Sequence, residues 1–209
     1  ALKNRYTRPK LLKKPVINLI NSRHPVIEQL LNEDEEFVCN DIFLSQRKKQ
    51  IAIITGPNMS GKSTFLRQIA LIVLMAQTGF YVPSESAEIG IVDKLFTRVG
   101  ASDNLVAGES TFMVEMNETA NILNNATKNS LVILDEIGRG TSTYDGLSIA
   151  CSVTEFLHND NDISPMTLFA THYHELVELA EKLKKAFNLT VNVKEVEDQI
   201  IFLRKIIDG

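Results

Sequence analysis

The sequence predicts an α/β domain built on a mostly parallel sheet, and three observations carry that expectation. Short apolar runs bounded by turn residues alternate with longer segments of helical period, as strands feeding crossover helices do. Residues 51–55 (IAIIT) are apolar almost throughout, as required of a strand buried on both faces. The tail changes rhythm: Leu189, Val191 and Val193 alternate with polar residues, Glu197 and Asp198 can turn the chain, and residues 200–206 follow, which predicts an antiparallel hairpin.

Taken in order, residues 37–44 read as an early strand and residues 51–55 as the buried one, with a helix over 61–77 directly behind it. Further strands are expected at 95–99, 131–134 and 167–170, separated by helices near 112–126, 146–158 and 174–184. The acidic stretches 32–36 and 159–162 fall between these elements and read as surface loops. There is no repeat and no low-complexity tract.

A chain of 209 residues that is 44% apolar and 23% charged can bury one sizeable core, which excludes collagen-like, coiled-coil and disordered classes. The longest apolar run, residues 69–76, is far shorter than the roughly 20 residues of a membrane-spanning helix, and no charged-then-apolar leader opens the chain. A soluble, cytoplasmic protein is expected. Cys39 and Cys151 are far apart and lack metal-ligand spacing, so both read as buried small hydrophobes. Residues 1–14 carry Lys3, Arg5, Arg8, Lys10, Lys13 and Lys14 and no acid; setting those six aside turns the net charge of −4 into −10. So acidic a body repels a phosphate backbone, which argues against large-area nucleic-acid binding. The basic arm could touch DNA, but it reads first as a solvated connector from an upstream domain. With no Met at position 1, the chain reads as a fragment. Residues 1–14 are assigned to the connector and 15–209 to the domain.

The strongest chemical signal is Gly56-Pro57-Asn58-Met59-Ser60-Gly61-Lys62-Ser63-Thr64, which fits G-x-x-x-x-G-K-[ST] between an apolar strand and a helical run. Its glycines let the backbone curl so that N–H groups and the helix N-terminus face phosphate oxygens. Lys62 then reaches the β- and γ-phosphates and the Ser63 hydroxyl takes a Mg²⁺ position. A glycine-rich packing turn has no need of Lys and Ser at the helix start. The second signal is the apolar strand 131–134 ending in Asp135-Glu136. Neighbouring strand residues face opposite ways, so Asp135 is read as the metal residue and Glu136 as the general base toward an attacking water. Acids after a strand also cap turns; the phosphate loop is what gives this pair its meaning. A third strand delivers Thr171, His172 and His174 at its carboxyl end, the edge where ligands sit in a parallel sheet. His172 is placed to hold the γ-phosphate or the attacking water, and His174 to begin a helix. His172, His174 and Glu175 lack the spacing of a zinc motif.

Together these motifs closely resemble the ATPase domain of the MutS proteins of DNA mismatch repair, members of the ABC-type ATPase superfamily. The resemblance spans nearly the whole chain: Arg23-His24-Pro25, Phe37-Val38, the phosphate loop, TRVGASD at 97–103, STFMVEM at 110–116, DEIGRGTSTYDG at 135–146 and Ala170-Thr171-His172. It implies a P-loop NTPase of the ABC type, with a mostly parallel central sheet flanked by helices, antiparallel strands near the N-terminus and a C-terminal hairpin. It further implies that Phe37 stacks on adenine, that Ser110 contacts the γ-phosphate bound by the opposite protomer, that residues 140–145 cross the subunit interface, and that His172 is the switch histidine. The implied cofactors are ATP or ADP with Mg²⁺. The implied partners are a second MutS-type ATPase domain, in a homodimer, mismatched DNA through domains absent from this chain, and downstream repair proteins, with no membrane.

Two implied roles keep a plainer alternative. Phe37 could open a strand with its ring in the core. Ser110 could merely cap a helix, a role worth about 1 kcal/mol without any ligand, although a capping serine does not exclude an anion site. The family's mismatch-reading, clamp and lever regions and its helix-turn-helix dimerisation segment are not in the chain. The expected activity is therefore ATP hydrolysis driving conformational change in a mismatch-recognition protein, weak in this domain alone. The alternatives are a MutS relative acting on recombination intermediates, or a nucleotide-gated interaction module with negligible hydrolysis, against which Glu136 argues.

Overall fold

The computed structural model describes residues 4–32, 34–100, 111–196 and 199–209. Its larger sheet has six strands in the order β10-β9-β4-β8-β7-β6: β4 is Ile51–Thr55, β6 Leu95–Arg98, β7 Leu131–Asp135, β8 Met166–Ala170, β9 Ala186–Val196 and β10 Gln199–Asp208. All neighbours run parallel except β9 and β10, which form the antiparallel hairpin at the end of the chain. The parallel strands are covered on both faces, and the alternation of side chains sorts their apolar residues. Ala52, Ile54, Ile133 and Leu168 pack with Leu66, Ile69 and Val73 of α2 (Lys62–Gln77). Ile51, Ile53, Val132 and Phe169 pack with Ile122 of α3 (Thr111–Asn125), Val153 and Leu157 of α4 (Thr143–Asn159) and Leu176 of α5 (Glu175–Lys182). Among the described residues no helix is long and apolar enough to cross a membrane.

A second, four-stranded sheet in the order β1-β5-β2-β3 joins β1 (Lys10–Leu12), β2 (Val16–Ser22), β3 (Asn40–Ser45) and β5 (Ser86–Gly90). Only part of it is legible in the sequence. The strand expected from residue 37 begins at Asn40, and β1, β2 and β5 are not anticipated by apolar periodicity. Residues 1–14 are correspondingly not a free connector throughout. Lys10 to Leu12 pair with Glu88 to Gly90, and Thr7 bridges Val82, so the basic stretch is tied into this sheet. The two cysteines are half-buried rather than buried. Helix α4 starts at Thr143, three residues before the expected 146, because Ser142 caps it by accepting from the Asp145 N–H (3.3 Å).

Between β2 and the short helix α1 (Ile27–Leu30), the buried His24 uses Nδ1 to accept the Val26 and Ile27 N–H groups, each at 3.2 Å. That role needs a ring unprotonated at Nδ1, and burial, helped by the Arg67 charge, holds the imidazole below its ordinary 6.5. With the folded value below the unfolded one, the stability this group contributes is complete above about pH 6.5 and is lost as pH falls through the folded value. Replacing His24 by Asn keeps a side-chain acceptor and removes the titration. Urea denaturation between pH 6.5 and 5 should therefore lose stability less steeply in His24→Asn, by at most about 1.4 kcal/mol per pH unit; equal slopes would exclude His24 as the titrating group.

Candidate functional site

The site forms where β4, β7 and β8 end together. Register pairs Ile54 and Asp135 with the same residue, Ala170, so the segments that follow all leave from one sheet edge. Behind β4 the loop 56–61 curls through positive φ at Gly56 (143°), Met59 (62°) and Gly61 (107°) before α2 begins at Lys62. The left-handed Gly61 serves as the N-cap residue of α2 but offers no side-chain cap, leaving the first helical N–H groups facing outward as an anion site requires.

Within this loop the buried Lys62 turns back, its Nζ donating to the carbonyls of Gly56 (2.7 Å) and Pro57 (2.9 Å). Burial pulls its pKa below the ordinary lysine value, with Glu136 and Asp135 opposing. Burial also pushes the Asp135 carboxyl above the usual range, offset in part by the neighbouring Ser63 hydroxyl. Asp135 Oδ1 and Ser60 Oγ are buried without a hydrogen-bond partner. Buried polar atoms left open in this way call for a ligand, water or ion. The hydroxyl of Ser63 and the carboxylate of Asp135 are the hard oxygen donors Mg²⁺ takes, and Mg²⁺ usually accepts only one or two protein ligands beside waters and phosphate oxygens. Among the described residues no three His, Cys, Asp or Glu side chains converge on a metal position of their own.

Glu136 departs from simple strand alternation. It is the first residue beyond β7 and adopts φ 55°, left-handed for a non-glycine residue, which costs about 1–2 kcal/mol and needs support from outside. Support comes from its own N–H, held by the Ala170 carbonyl at 2.9 Å, while its carboxylate pairs with Arg139 Nη1 at 2.8 Å. Ser63, Asp135 and Glu136 open on a cleft of about 720 Å³ whose other walls include Arg67, Arg98, Thr111, Glu115 and Arg139.

Phe37 is half-buried and lies outside the core. Because the strand starts three residues later, its ring lines a separate hollow of about 420 Å³ with Met59, Gly61 and Thr64 at the start of α2. His172 is exposed, lies 4.2 Å centroid to centroid from the Tyr173 ring, and shares a third hollow of about 350 Å³ with His174, with Thr55 at the end of β4 and with the loop residues 56–58. His174 is the N-cap residue of α5. Ser110 lies outside the described residues. Thr111, which follows it, opens α3 on the wall of the larger cleft.

Residues 52–209 match the family model described as MutS domain V. The chain belongs to the MutS family. It is 57% identical over 209 residues to the DNA mismatch repair protein MutS of Flavobacterium psychrophilum, covering all of this chain and 24% of that protein. The corresponding protein of Parabacteroides distasonis is 58% identical over 206 residues, 99% of this chain and 24% of its own length. That of Lachnoclostridium phytofermentans is 59% identical over 209 residues, 100% of this chain and 22% of its own length. The chain thus spans about a quarter of the length of these MutS relatives. The larger cleft also contains Arg67, which lies outside the motifs, and Arg98, Glu115 and Arg139, which lie inside them but to which the sequence attaches no role of their own. A signal for Glu115 was present: residues 115, 119 and 122 share the buried helical face of α3, where a carboxylate is out of place unless it has a partner.

Proposed function

We propose that this domain binds Mg·ATP and hydrolyses it to ADP and phosphate in a head-to-tail pair of such domains, driving conformational change in a DNA mismatch-repair protein. The reading is that of a P-loop ATPase domain of the ABC type. The observation that carries it is the convergence at one sheet edge of the curled loop 56–61, Lys62, Ser63 and Asp135, with Asp135 Oδ1 buried and unpaired. Bound Mg²⁺, held by Ser63 and Asp135, would supply the positive charge that neutralises the β- and γ-phosphate oxygens. The N–H groups of Gly56, Asn58, Met59, Ser60 and Gly61 and of the first residues of α2, through Thr64, cradle the triphosphate, while Pro57, which has no N–H to donate, shapes the loop. Lys62 exchanges its two neutral carbonyl acceptors for charged phosphate oxygens, a stronger partner for an ammonium. Phe37 offers a ring face to adenine from the neighbouring hollow. Glu136 takes the proton of the attacking water, and His172 reports on the γ-phosphate. Ser110 completes the site from a second copy of the domain, whose helix N-terminus favours the developing charge. Mismatched DNA and downstream repair proteins are assigned to other parts of a longer protein.

Nucleotide binding needs no second copy, because residues 37 and 56–64 lie in one chain. Saturation at 100 times the dissociation constant stabilises the fold by about 2.7 kcal/mol, roughly 5 to 11 °C in melting temperature for a domain of this size. Lys62→Ala should lose most of that shift in a thermal-denaturation series with Mg·ATP. An unchanged shift in the variant would remove the loop as the phosphate site.

A further inference from the structure

We infer that Glu115 is a positioning residue for the turn that carries Glu136, holding it through the Gly138 N–H and so linking that turn to the helix that follows Ser110. This rests on the ATPase reading above and adds to it a role for a side chain that the proposed mechanism does not use.

The geometry is a three-way junction. Glu115 sits one turn into α3 and is buried. One carboxylate oxygen, Oε1, accepts the Gly138 N–H, and the other, Oε2, accepts from Arg98 Nη2 of β6 at 3.2 Å. On the opposite side of the same glycine, the Tyr173 hydroxyl donates to the Gly138 carbonyl at 3.1 Å. Tyr173 is the residue beside His172. Three segments that the proposed mechanism needs in register therefore meet at one residue: the start of α3, the turn behind Asp135, and the chain beyond β8.

Two features make this more than packing. Glu136 has a left-handed φ that a non-glycine residue adopts only at a cost, so its conformation must be held by outside contacts, whereas Gly138 reaches its positive φ freely. The clamp on Gly138 falls two residues from Glu136, near enough to set where the base points. In addition, a buried ion pair is a poor stabilising device, often matched by apolar residues of equal volume. A carboxylate that also accepts a backbone N–H at a strained turn does what no apolar side chain can. Removing Glu115 alone also leaves Arg98 buried without this partner, which costs stability, so the positioning role is read in the rate per folded molecule, where small misplacements of a reacting group are costly.

The test compares Glu115→Leu and Glu115→Gln with wild type in a protein of the relatives' full length. It measures ATP turnover, thermal stabilisation by Mg·ATP, and amide hydrogen exchange over residues 136–139 without nucleotide. Glu115→Gln retains an oxygen acceptor and the volume, which guards against misfolding as the explanation. In Glu115→Leu, kcat should fall about 10- to 100-fold with KM changed less than about threefold, the stabilisation by Mg·ATP kept, and exchange at the turn faster. Glu115→Gln should fall between this variant and wild type in both rate and exchange. Native kcat in Glu115→Leu, or exchange at the turn as slow as in wild type, overturns the inference. Loss of rate only in proportion to the unfolded fraction, equal in the two variants, also overturns it. Failure of wild type to gain stability from Mg·ATP would instead defeat the ATPase reading, while the exchange data would still report whether Glu115 holds the turn.

Discussion

Glu136→Gln is expected to keep nucleotide-dependent stabilisation and to release phosphate about 10²- to 10⁴-fold more slowly, the usual contribution of a positioned base. The side chain leaves the end of β7 in a left-handed conformation, with its N–H fixed on the Ala170 carbonyl. The amide preserves this backbone and can still accept from Arg139, as the carboxylate does at 2.8 Å. What it cannot do is take a proton from water. Asp135→Asn should behave differently, because Asp135 supplies the unpaired buried oxygen beside Ser63. That variant should lose the Mg²⁺ dependence of binding itself. Phosphate release measured in a protein of the relatives' full length separates the two, and comparable rates in Glu136→Gln and wild type would remove Glu136 from its role.

Gly146→Ala is expected to destabilise the domain by about 3 kcal/mol or more, roughly 6 to 12 °C in melting temperature. Helix propensity alone argues the reverse: Gly146 lies inside α4, where alanine should gain about 1 kcal/mol. The sign is decided by the chain opposite. A Cβ at Gly146 would be driven into the Gly138 carbonyl oxygen and the Tyr173 hydroxyl, and one at Gly138 would come within 2.5 Å of the Gly146 Cα. Gly138 also has φ 88°, so neither strand of this crossing can yield easily. Gly79 supplies the control. It has φ 87° but nothing within 4 Å of an added Cβ, so Gly79→Ala should cost only the torsional strain, about 1–2 kcal/mol. A stabilised Gly146→Ala in chemical denaturation would show that the two backbones separate freely.

The same contrast explains which parts of the site are legible in the sequence. The loop 56–64 and the pair Asp135-Glu136 announce themselves because their chemistry depends on spacing within a few residues and on the apolar strand before each. Phe37 is less legible, since a lone aromatic after a run of acids fits a core strand or a cleft equally well. The start of β3 at Asn40 is what turns its ring toward the loop. Glu115 and Arg98 stand inside motifs yet carry no readable role, because each is defined by a partner 17 residues away in the chain, or 23 in the case of Gly138.

By itself the sequence determined the order and kind of the elements in the larger sheet, the hairpin that ends the chain, the glycine-rich loop 56–61 and the carboxylates at the end of β7. All of these follow from local period, local turn chemistry and the burial that an apolar run demands. Tertiary structure alone decided the second sheet, the alignment of three strand ends on Ala170 and the junction at Gly138. Strand β1 pairs with a segment 78 residues later, from Lys10 to Glu88, and residues 86–90 (SAEIG) carry too little apolar alternation to announce a strand. Such pairings are selected by contacts that exist only once the chain has closed on itself, so no window of neighbouring residues contains the information.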